Sequence, residues 1–222
     1  MNTLKTHCCG EKLTLHADKV VYWHAAKTLL AADVHVGKEH VLGRAGVSIP
    51  GGISEATLSH LFRLSDFFSA ERLLVLGDFL HGQHTTDEAW HQHLQAQLQT
   101  RKELSLHIVA GNHDKHLSQK RINKAINWIN TQLFEPPFVF THEPVTDQRG
   151  YVVCGHLHPA YRLQSNGKEK LRAPVFWFQE KMAVLPAFGH FTGSCTVTPD
   201  AGDRLFITGP GAVLECTAAI GQ

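Results

Sequence analysis

The chain has 222 residues, with 21 Lys and Arg against 20 Asp and Glu, so its formal net charge is +1. This length fits one domain over residues 1–222 with a core that needs no disulfide or metal staple. The near-balance of charge argues against a protein that holds long duplex nucleic acid by bulk electrostatics. The 17 histidines nearly equal the carboxylates in number, which indicates either metal binding or incidental surface histidine.

The cysteine pattern and the absence of long apolar runs indicate a cellular location. Five cysteines without a C-x-x-C pair favour a reduced compartment. The first ten residues lack the apolar stretch of a signal peptide, and no apolar run approaches the roughly 18 residues of a membrane span. We therefore predict a soluble, cytoplasmic protein without membrane contact, in which Cys8 and Cys9 are bystanders in a mobile N-terminus.

The first half of the chain alternates short apolar runs with segments of helical period. The apolar runs predict strands over residues 28–32, 72–76 and 104–109. Apolar spacing predicts a helix over residues 53–68, and Thr85 with Glu88 forms a capping box that predicts the start of another. Strand and helix in alternation predict right-handed βαβ units and a largely parallel sheet.

The second half of the chain is richer in strands. A short helix is predicted over residues 121–129, and strands over residues 138–141, 151–154, 171–178, 183–188 and 205–208. The turns Asn166-Gly167 and Gly209-Pro210-Gly211 indicate hairpins. We expect a second, mixed or antiparallel sheet that faces the first, with helices outside.

Five polar clusters follow predicted strands. They are Asp33-Val34-His35, Gly77-Asp78-Phe79-Leu80-His81, Gly111-Asn112-His113-Asp114, Thr141-His142-Glu143 and Gly155-His156-Leu157-His158. In open α/β sheets, functional sites gather beyond the carboxyl ends of strands. We therefore expect the five segments to deliver their polar side chains to one region.

Seven side chains in these clusters are predicted metal ligands. Three offer oxygen and four offer imidazole nitrogen: Asp33, Asp78, Asn112, His35, His142, His156 and His158. Mixed oxygen and nitrogen ligands without thiolate suit Mn, Fe or Zn better than a structural zinc cage or a calcium site. Seven ligands exceed the coordination of one such ion, so we predict two divalent ions that share Asp78 as a bridge.

A pair of ions about 3.5 to 4 Å apart is the arrangement used for displacement at phosphorus. Such ions polarise phosphoryl oxygens and favour a hydroxide nucleophile. His113 is surplus to the ligand set, and we predict that it protonates the leaving oxygen while Asp114 orients its ring. His81 is expected to contact either a ligand side chain or the substrate.

In this order, the motifs D-x-H, G-D-x-x-H, G-N-H-D, a lone His and G-H-x-H resemble the calcineurin-like metallophosphoesterase superfamily. The resemblance implies a four-layer αββα sandwich of two mixed sheets. It also implies one metal on Asp33, His35 and His158, with Asp78 between the two ions. The other metal would be held by Asn112, His142 and His156.

Two further stretches resemble one branch of that superfamily, the ligase-associated DNA damage response endonucleases of the PdeM type. They are residues 32–38 leading to Arg44-Ala45-Gly46 and Pro50, and Leu185-Pro186-Ala187-Phe188-Gly189 continuing through Phe191-Thr192-Gly193. The resemblance implies a manganese-dependent phosphoesterase encoded beside an ATP-dependent DNA ligase, a helicase and a nuclease. His190, Ser194 and Cys195 depart from the usual small residues of that loop, which leaves its role open.

Four cations are predicted to contact the phosphates of a substrate strand: Lys38, Arg44, Lys115 and Arg121. A solvated helix face is the alternative for the last two. Together these features predict a phosphodiesterase that acts on nucleic acid, as a DNA endonuclease in repair. The alternatives are a small-molecule phosphodiesterase or pyrophosphatase and, in another class, a catalytically silent binding scaffold. Ala110 disfavours a phosphoprotein phosphatase, because those relatives carry Arg before the G-N-H motif.

Overall fold

The computed structural model describes residues 2–82, 88–114, 125–164 and 170–217. The first sheet contains seven strands in chain order: β1 (Thr3–Cys8), β2 (Glu11–His16), β3 (Val21–Trp23), β4 (Thr28–Ala31), β5 (Arg72–Leu76), β6 (Ser105–Val109) and β7 (Ile126–Ile129). The first four strands pair antiparallel, whereas β4 to β7 pair parallel. The sheet is therefore mixed rather than largely parallel.

The N-terminal strands were missed by the sequence prediction. Cys9 and Gly10 join β1 to β2 with φ values of 51° and 82°, and two successive positive φ values are typical of the tight turn of a hairpin. Cys8 lies in β1, which pairs with β2 along its whole length. The expectation of a mobile N-terminus is therefore wrong. The five cysteines form no disulfide with one another.

Three helices are described: α1 (Lys38–Arg44), α2 (Ile53–Phe67) and α3 (Ala89–Thr100). Leu61 and Phe62 of α2 are fully buried. They form one apolar cluster with Trp90 and Leu94 of α3 and with strand residues such as Leu73. These apolar faces place α2 and α3 on the first sheet, as βαβ connections require. No helix in the described ranges has the length and apolarity needed to cross a membrane.

The capping box predicted for α3 is not formed as expected. Thr85 lies outside the described residues, and Glu88 is itself the N-cap of α3, without a side-chain capping hydrogen bond. Its carboxylate instead accepts hydrogen bonds from Arg44 Nη2 at 2.8 Å and Trp90 Nε1 at 2.6 Å. Glu88 therefore ties α1 to α3.

The second sheet contains the remaining strands: β8 (Gln132–Glu135), β9 (Phe138–Thr141), β10 (Tyr151–Cys154), β11 (Pro159–Gln164), β12 (Lys170–Phe178), β13 (Met182–Val184), β14 (Cys195–Thr196), β15 (Arg204–Gly209) and β16 (Ala212–Thr217). Its order is β14-β11-β12-β13-β10-β9-β8, and β15 joins β12 to β16. Both parallel and antiparallel pairs occur, so this sheet is mixed as well.

The predictions for this half hold in most places. The helix predicted over 121–129 is wrong, because residues 126–129 form β7 and pair with β6; residues 121–124 lie outside the described residues. The strand predicted over residues 183–188 ends earlier than expected, because β13 ends at Val184. Gly209 pairs with Ala212 across the predicted hairpin. Asn166-Gly167 lies outside the described residues, although the flanking strands pair antiparallel.

The apolar core between the two sheets is built from their inner faces. It joins Leu30 and Leu74 of the first sheet to Phe140 and Phe176 of the second. The described helices all precede β6, and the described chain after α3 consists of strands and loops. The result is the predicted α/β arrangement of two mixed sheets with helices. It brings the carboxyl ends of β4, β5, β6, β9 and β10 to one edge.

Candidate metal centre

The five polar clusters leave their strands at this shared edge, on backbone that has departed from regular strand geometry. Five of the predicted ligands, Asp33, His35, Asp78, His156 and His158, have φ values between 48° and 70°. Left-handed backbone is uncommon for non-glycine residues and costs about 1–3 kcal/mol each. Such strain persists where the surrounding structure fixes it, and it concentrates at functional sites.

Two glycines that precede ligands provide room for the cluster. Gly77 has a φ of +80°, and a Cβ at this position would overlap the ring of His142. A Cβ on Gly111 would overlap the carboxylate and backbone of Asp78. The loops after β5 and β6 therefore approach the site more closely than any residue with a side chain would permit.

The first group of ligand atoms comes from Asp33, His35 and His158, which lie close enough together to hold one ion. Asp33 Oδ1 is 3.5 Å from His158 Nε2. Within the described part of the chain, Asp33 Oδ1 and His35 Nε2 are buried without a hydrogen-bond partner. Buried polar atoms are normally paired, so a cation at this position would account for both.

The second group surrounds His142 Nε2. This atom is 2.9 Å from Asn112 Oδ1, 3.0 Å from His156 Nδ1 and 3.5 Å from Asp78 Oδ1. Two of these neighbours are oxygens and one is an imidazole nitrogen, a donor set that suits a first-row divalent ion. All seven predicted ligands are thus brought together in two groups.

Asp78 lies between the groups. Its Oδ1 faces His142, whereas its Oδ2 is 3.9 Å from His35 Nε2. Its side chain is buried, and Oδ1 also accepts a hydrogen bond of 2.9 Å from the backbone N–H of His113. One carboxylate therefore presents an oxygen to each group.

Hydrogen bonds to the protein backbone orient two of the ligand rings. His142 Nδ1 donates to the carbonyl of Leu76 at 3.1 Å, and His158 Nδ1 donates to the carbonyl of Gly193 at 3.0 Å. With Nδ1 protonated, each ring keeps a lone pair on Nε2 for a cation. This tautomer is the one that metal binding requires.

The charges of the site also favour metal binding. Burial, with smaller effects from Lys38 and neighbouring histidines, lowers the pKa of His35 to about 2, so the ring stays neutral. Burial opposes the charged form of His158 as well, but the nearby carboxylate of Asp33 raises its pKa overall. Neutral imidazole is the ligand form, and a bound cation would displace the proton that Asp33 attracts to His158.

His81 and His113 lie beside the first group. Their rings stack with centroids 4.4 Å apart, and His81 Nδ1 is 3.1 Å from His35 Nδ1. His113 Nε2 is 3.9 Å from Asp78 Oδ2. His35, His81 and His113 also lie close enough to form a third group that can hold a metal. Both rings therefore lie against the ring of the predicted ligand His35.

The contacts of Asp114 differ from the prediction. It was predicted to orient the ring of His113, but its carboxylate accepts hydrogen bonds from the backbone N–H groups of Phe79, Leu80 and Gly111 at 3.2, 2.9 and 2.9 Å. Burial raises its pKa to about 6, although these hydrogen bonds favour the charged form. Asp114 therefore joins the loops after β5 and β6 and fixes the backbone of both motifs.

The predicted substrate cations differ in position. Lys38 is half-buried beside the site; burial lowers its pKa, whereas the charge of Asp78 opposes that change. Arg44 forms an ion pair with Glu88 at 2.8 Å, which compensates part of its charge. Lys115 and Arg121 lie outside the described residues.

The loop after β13, which belongs to the second sheet, contacts the backbone beside the site. The role of this loop was left open in the sequence analysis. The backbone N–H groups of Phe188 and Gly189 donate to the carbonyls of Ala32 and Asp33 at 2.8 and 3.0 Å. A Cβ on Gly189 would overlap the carbonyl of Val34. The run of small residues around Phe188 in the sequence was the signal for this close approach.

Comparison with known proteins assigns this chain to a class of phosphate-ester hydrolases. Residues 26–208 match the calcineurin-like phosphoesterase family. The chain therefore belongs to that family, and it is a phosphoesterase. Family members are typically dinuclear metal enzymes, in agreement with the metal-binding groups described above.

A solved structure is similar over nearly the whole chain. The crystal structure of the nuclease MPE from Pseudomonas putida has 33% sequence identity and a TM-score of 0.83, covering 97% of this chain and 100% of that chain. It is among 21 chains of known structure that match. No curated protein matches the chain.

Proposed function

We propose that the protein is a dinuclear metal-dependent phosphodiesterase that acts on nucleic acid. The observation that carries the proposal is the position of Asp78, whose Oδ1 faces His142 and whose Oδ2 faces His35. A carboxylate shared by two groups of ligands is the expected arrangement for a pair of ions. A single structural ion would not need it.

The geometry and the family resemblance together support two sets of ligands. Asp33, His35 and His158 would hold one ion. Asn112, His142 and His156 would hold the other, with Asp78 between them. Bound divalent ions supply Lewis-acid polarisation of phosphoryl oxygens and lower the pKa of water toward 7. We propose Mn as the metal, with Fe and Zn as alternatives that the donor set also suits.

In this mechanism His113 is the proton donor. Water supplies the oxygen that forms a new bond to phosphorus and releases one proton to solvent, and the bond from phosphorus to the sugar oxygen breaks on the opposite side. His113 lies beside Asp78 and its side chain is 37% exposed, so it can reach a bound diester. Donation of its proton to the departing oxygen avoids release of an alkoxide.

Nucleic acid is the proposed substrate because the similarity to the Pseudomonas nuclease extends over nearly the whole of both chains. Within this proposal the substrate is DNA, cut internally during repair, as the resemblance to ligase-associated endonucleases implies. A functional association with an ATP-dependent DNA ligase, a helicase and a nuclease also stays a prediction, as does the cytoplasmic location.

The proposal is tested with manganese-loaded enzyme on four substrates: circular single-stranded DNA, a supercoiled plasmid, a cyclic dinucleotide and bis-p-nitrophenyl phosphate. Cleavage of circular DNA shows an endonuclease, because a circle offers no end. Asp78→Asn is the matched inactive control, since it keeps the size of the buried side chain. Hydrolysis of the small diesters without any cleavage of DNA would support the small-molecule alternative instead. Hydrolysis of none of them with metal bound would support the binding scaffold.

A further inference from the structure

A pocket of about 320 Å³ lies outside the metal centre. It is formed by the turn after β2, by α2, by the β15–β16 hairpin and by the loop after β13. Its lining includes Asp18, Lys19, His60, Pro174, Phe188 and His190. None of these side chains belongs to the metal-binding groups or to the proposed proton donor.

The pocket adjoins the metal centre through one short loop. Phe188 lines the pocket, and its backbone N–H donates to the carbonyl of Ala32, next to the ligand Asp33. Further along the same loop, the carbonyl of Gly193 accepts the hydrogen bond of the ligand His158. The same loop therefore contacts both the pocket and the segments that carry the metal ligands.

The charges of the pocket compensate each other. Lys19 Nζ donates to the carbonyl of Phe188 at 2.9 Å, so it also fixes the loop. Asp18 Oδ2 lies 3.0 Å from His60 Nε2 and 3.5 Å from His16 Nδ1. The ammonium of Lys19 and the carboxylate of Asp18 cancel, and burial lowers the pKa of the His190 ring, with contributions from Lys19 and His60. A pocket with a carboxylate and no net charge is a poor receptor for a phosphate group.

The walls suit a flat, neutral ring with polar edges. Phe188, Pro174 and Pro210 supply apolar surface. His60 and His190 supply planar rings, and His190 is exposed. The carboxylate of Asp18 accepts hydrogen bonds, which an exocyclic amino group can donate. Proteins recognise unstacked bases by this combination of stacking and hydrogen bonds to the base edge.

We propose that this pocket binds one unstacked nucleobase of the nucleic-acid strand that is cut at the metal centre. The inference rests on the proposed action on nucleic acid, which it extends from the phosphate to a base. A pocket of this volume is of the size that encloses small organic ligands. Binding of a base here would fix the register of the strand relative to the metal ligands.

A direct binding experiment tests the pocket without catalysis. The imidazole ring protons of His60 and His190 are followed by NMR while thymidine, deoxyadenosine, inorganic phosphate or deoxyribose 5-phosphate is added. We expect a nucleoside to shift both signals in a saturable way, and the two phosphates to leave them unchanged. Shifts caused by phosphate alone would identify an anion site, and no shift with any probe would leave the pocket without a ligand; either result overturns the proposal.

A kinetic experiment places the base relative to the cut. An oligonucleotide is compared with a copy in which abasic residues replace the nucleosides one at a time. Removal of the base that occupies the pocket should raise KM about tenfold in the natural protein, since the loss of one stacked base weakens binding by about that factor. In His190→Ala the ratio of the two KM values should fall toward one. The control His107→Ala, on β6 beside Asn127, should keep the ratio of the natural protein.

The two experiments separate this inference from the proposed function. If no oligonucleotide is cut but nucleosides shift the two histidine signals, the proposed function fails and the pocket stands. If oligonucleotides are cut and every abasic substitution leaves KM unchanged, the proposed function stands and the base pocket fails.

Discussion

The rings of His81 and His113 stack with an interplanar angle of 28° and a centroid distance of 4.4 Å. His81 Nδ1 also lies 3.1 Å from His35 Nδ1. If His35 donates its Nδ1 proton to His81, its buried Nε2 is left with a lone pair that faces Asp78. His81 thus positions both the proposed proton donor and one proposed metal ligand.

The first prediction concerns His113. His113→Ala should lower kcat by on the order of a hundredfold or more, the usual effect of removing one acid or transition-state donor. Its metal content should stay at the level of the unchanged protein, because His113 is outside the two proposed ligand sets. Turnover numbers and elemental analysis check this, with His107→Ala as the control. Unchanged turnover would remove His113 from the mechanism.

The second prediction concerns His81. Residues that orient a metal ligand typically contribute 10- to 100-fold to metal affinity or activity, so His81→Ala should weaken manganese binding by about that factor. Titration of metal-free protein with Mn²⁺ measures the dissociation constant. His113→Ala is the informative comparison, since it should lower turnover without weakening manganese binding. If His81→Ala lowered turnover with the same metal affinity, His81 would act through His113 or the substrate alone.

The strand-end motifs made the site predictable. Asp33, Asp78 and His142 each follow a buried apolar strand, and parallel strands end at a common edge, so their meeting followed from spacing and strand order. The assignment of ligands to one ion or the other required the family resemblance. Only the three-dimensional structure shows that Oδ1 of Asp78 faces one group of ligands and Oδ2 faces the other.

The parts that were missed depend on long-range contacts. Asp114 is next to His113 in sequence, which suggested a contact with the ring, but three backbone N–H groups from two loops compete for its carboxylate. Residues 126–129 were predicted to belong to a short helix, whereas they pair with β6 and form a strand. The pocket around Lys19 joins segments almost 200 residues apart, and no local pattern indicates it.

The third prediction uses the close approach of Gly77 to His142. Gly77→Ala adds a methyl group that overlaps the ring of His142 on a backbone with a φ of +80°. Gly10 has a φ of +82° with nothing near its Cβ position, so Gly10→Ala shows the cost of the backbone conformation alone, about 1–2 kcal/mol. Gly77→Ala should be destabilised by clearly more than this control and should lose metal affinity. Equal Tm values for the two variants would show that the ring of His142 moves without cost.

The fourth prediction is a pH dependence from Lys19. Burial lowers its pKa from 10.5 to about 8, so between these pH values the unfolded chain carries a proton that the folded chain lacks. The free energy of unfolding should therefore rise with pH from about 8 to 10.5, by at most about 3 kcal/mol from this residue. Lys19→Met should reduce that rise, measured by urea denaturation of both proteins across the range. The same slope in both proteins would contradict a buried ammonium at this position.

The account depends above all on two ions that share Asp78. Crystals grown with manganese, with diffraction recorded at the manganese absorption edge, locate the ions without any assumption about substrate. The account predicts two anomalous peaks about 3.5 to 4 Å apart, one beside Asp33, His35 and His158 and the other beside Asn112, His142 and His156, with an Asp78 oxygen toward each. A single peak at full manganese saturation, or a pair of peaks that Asp78 does not join, would contradict it.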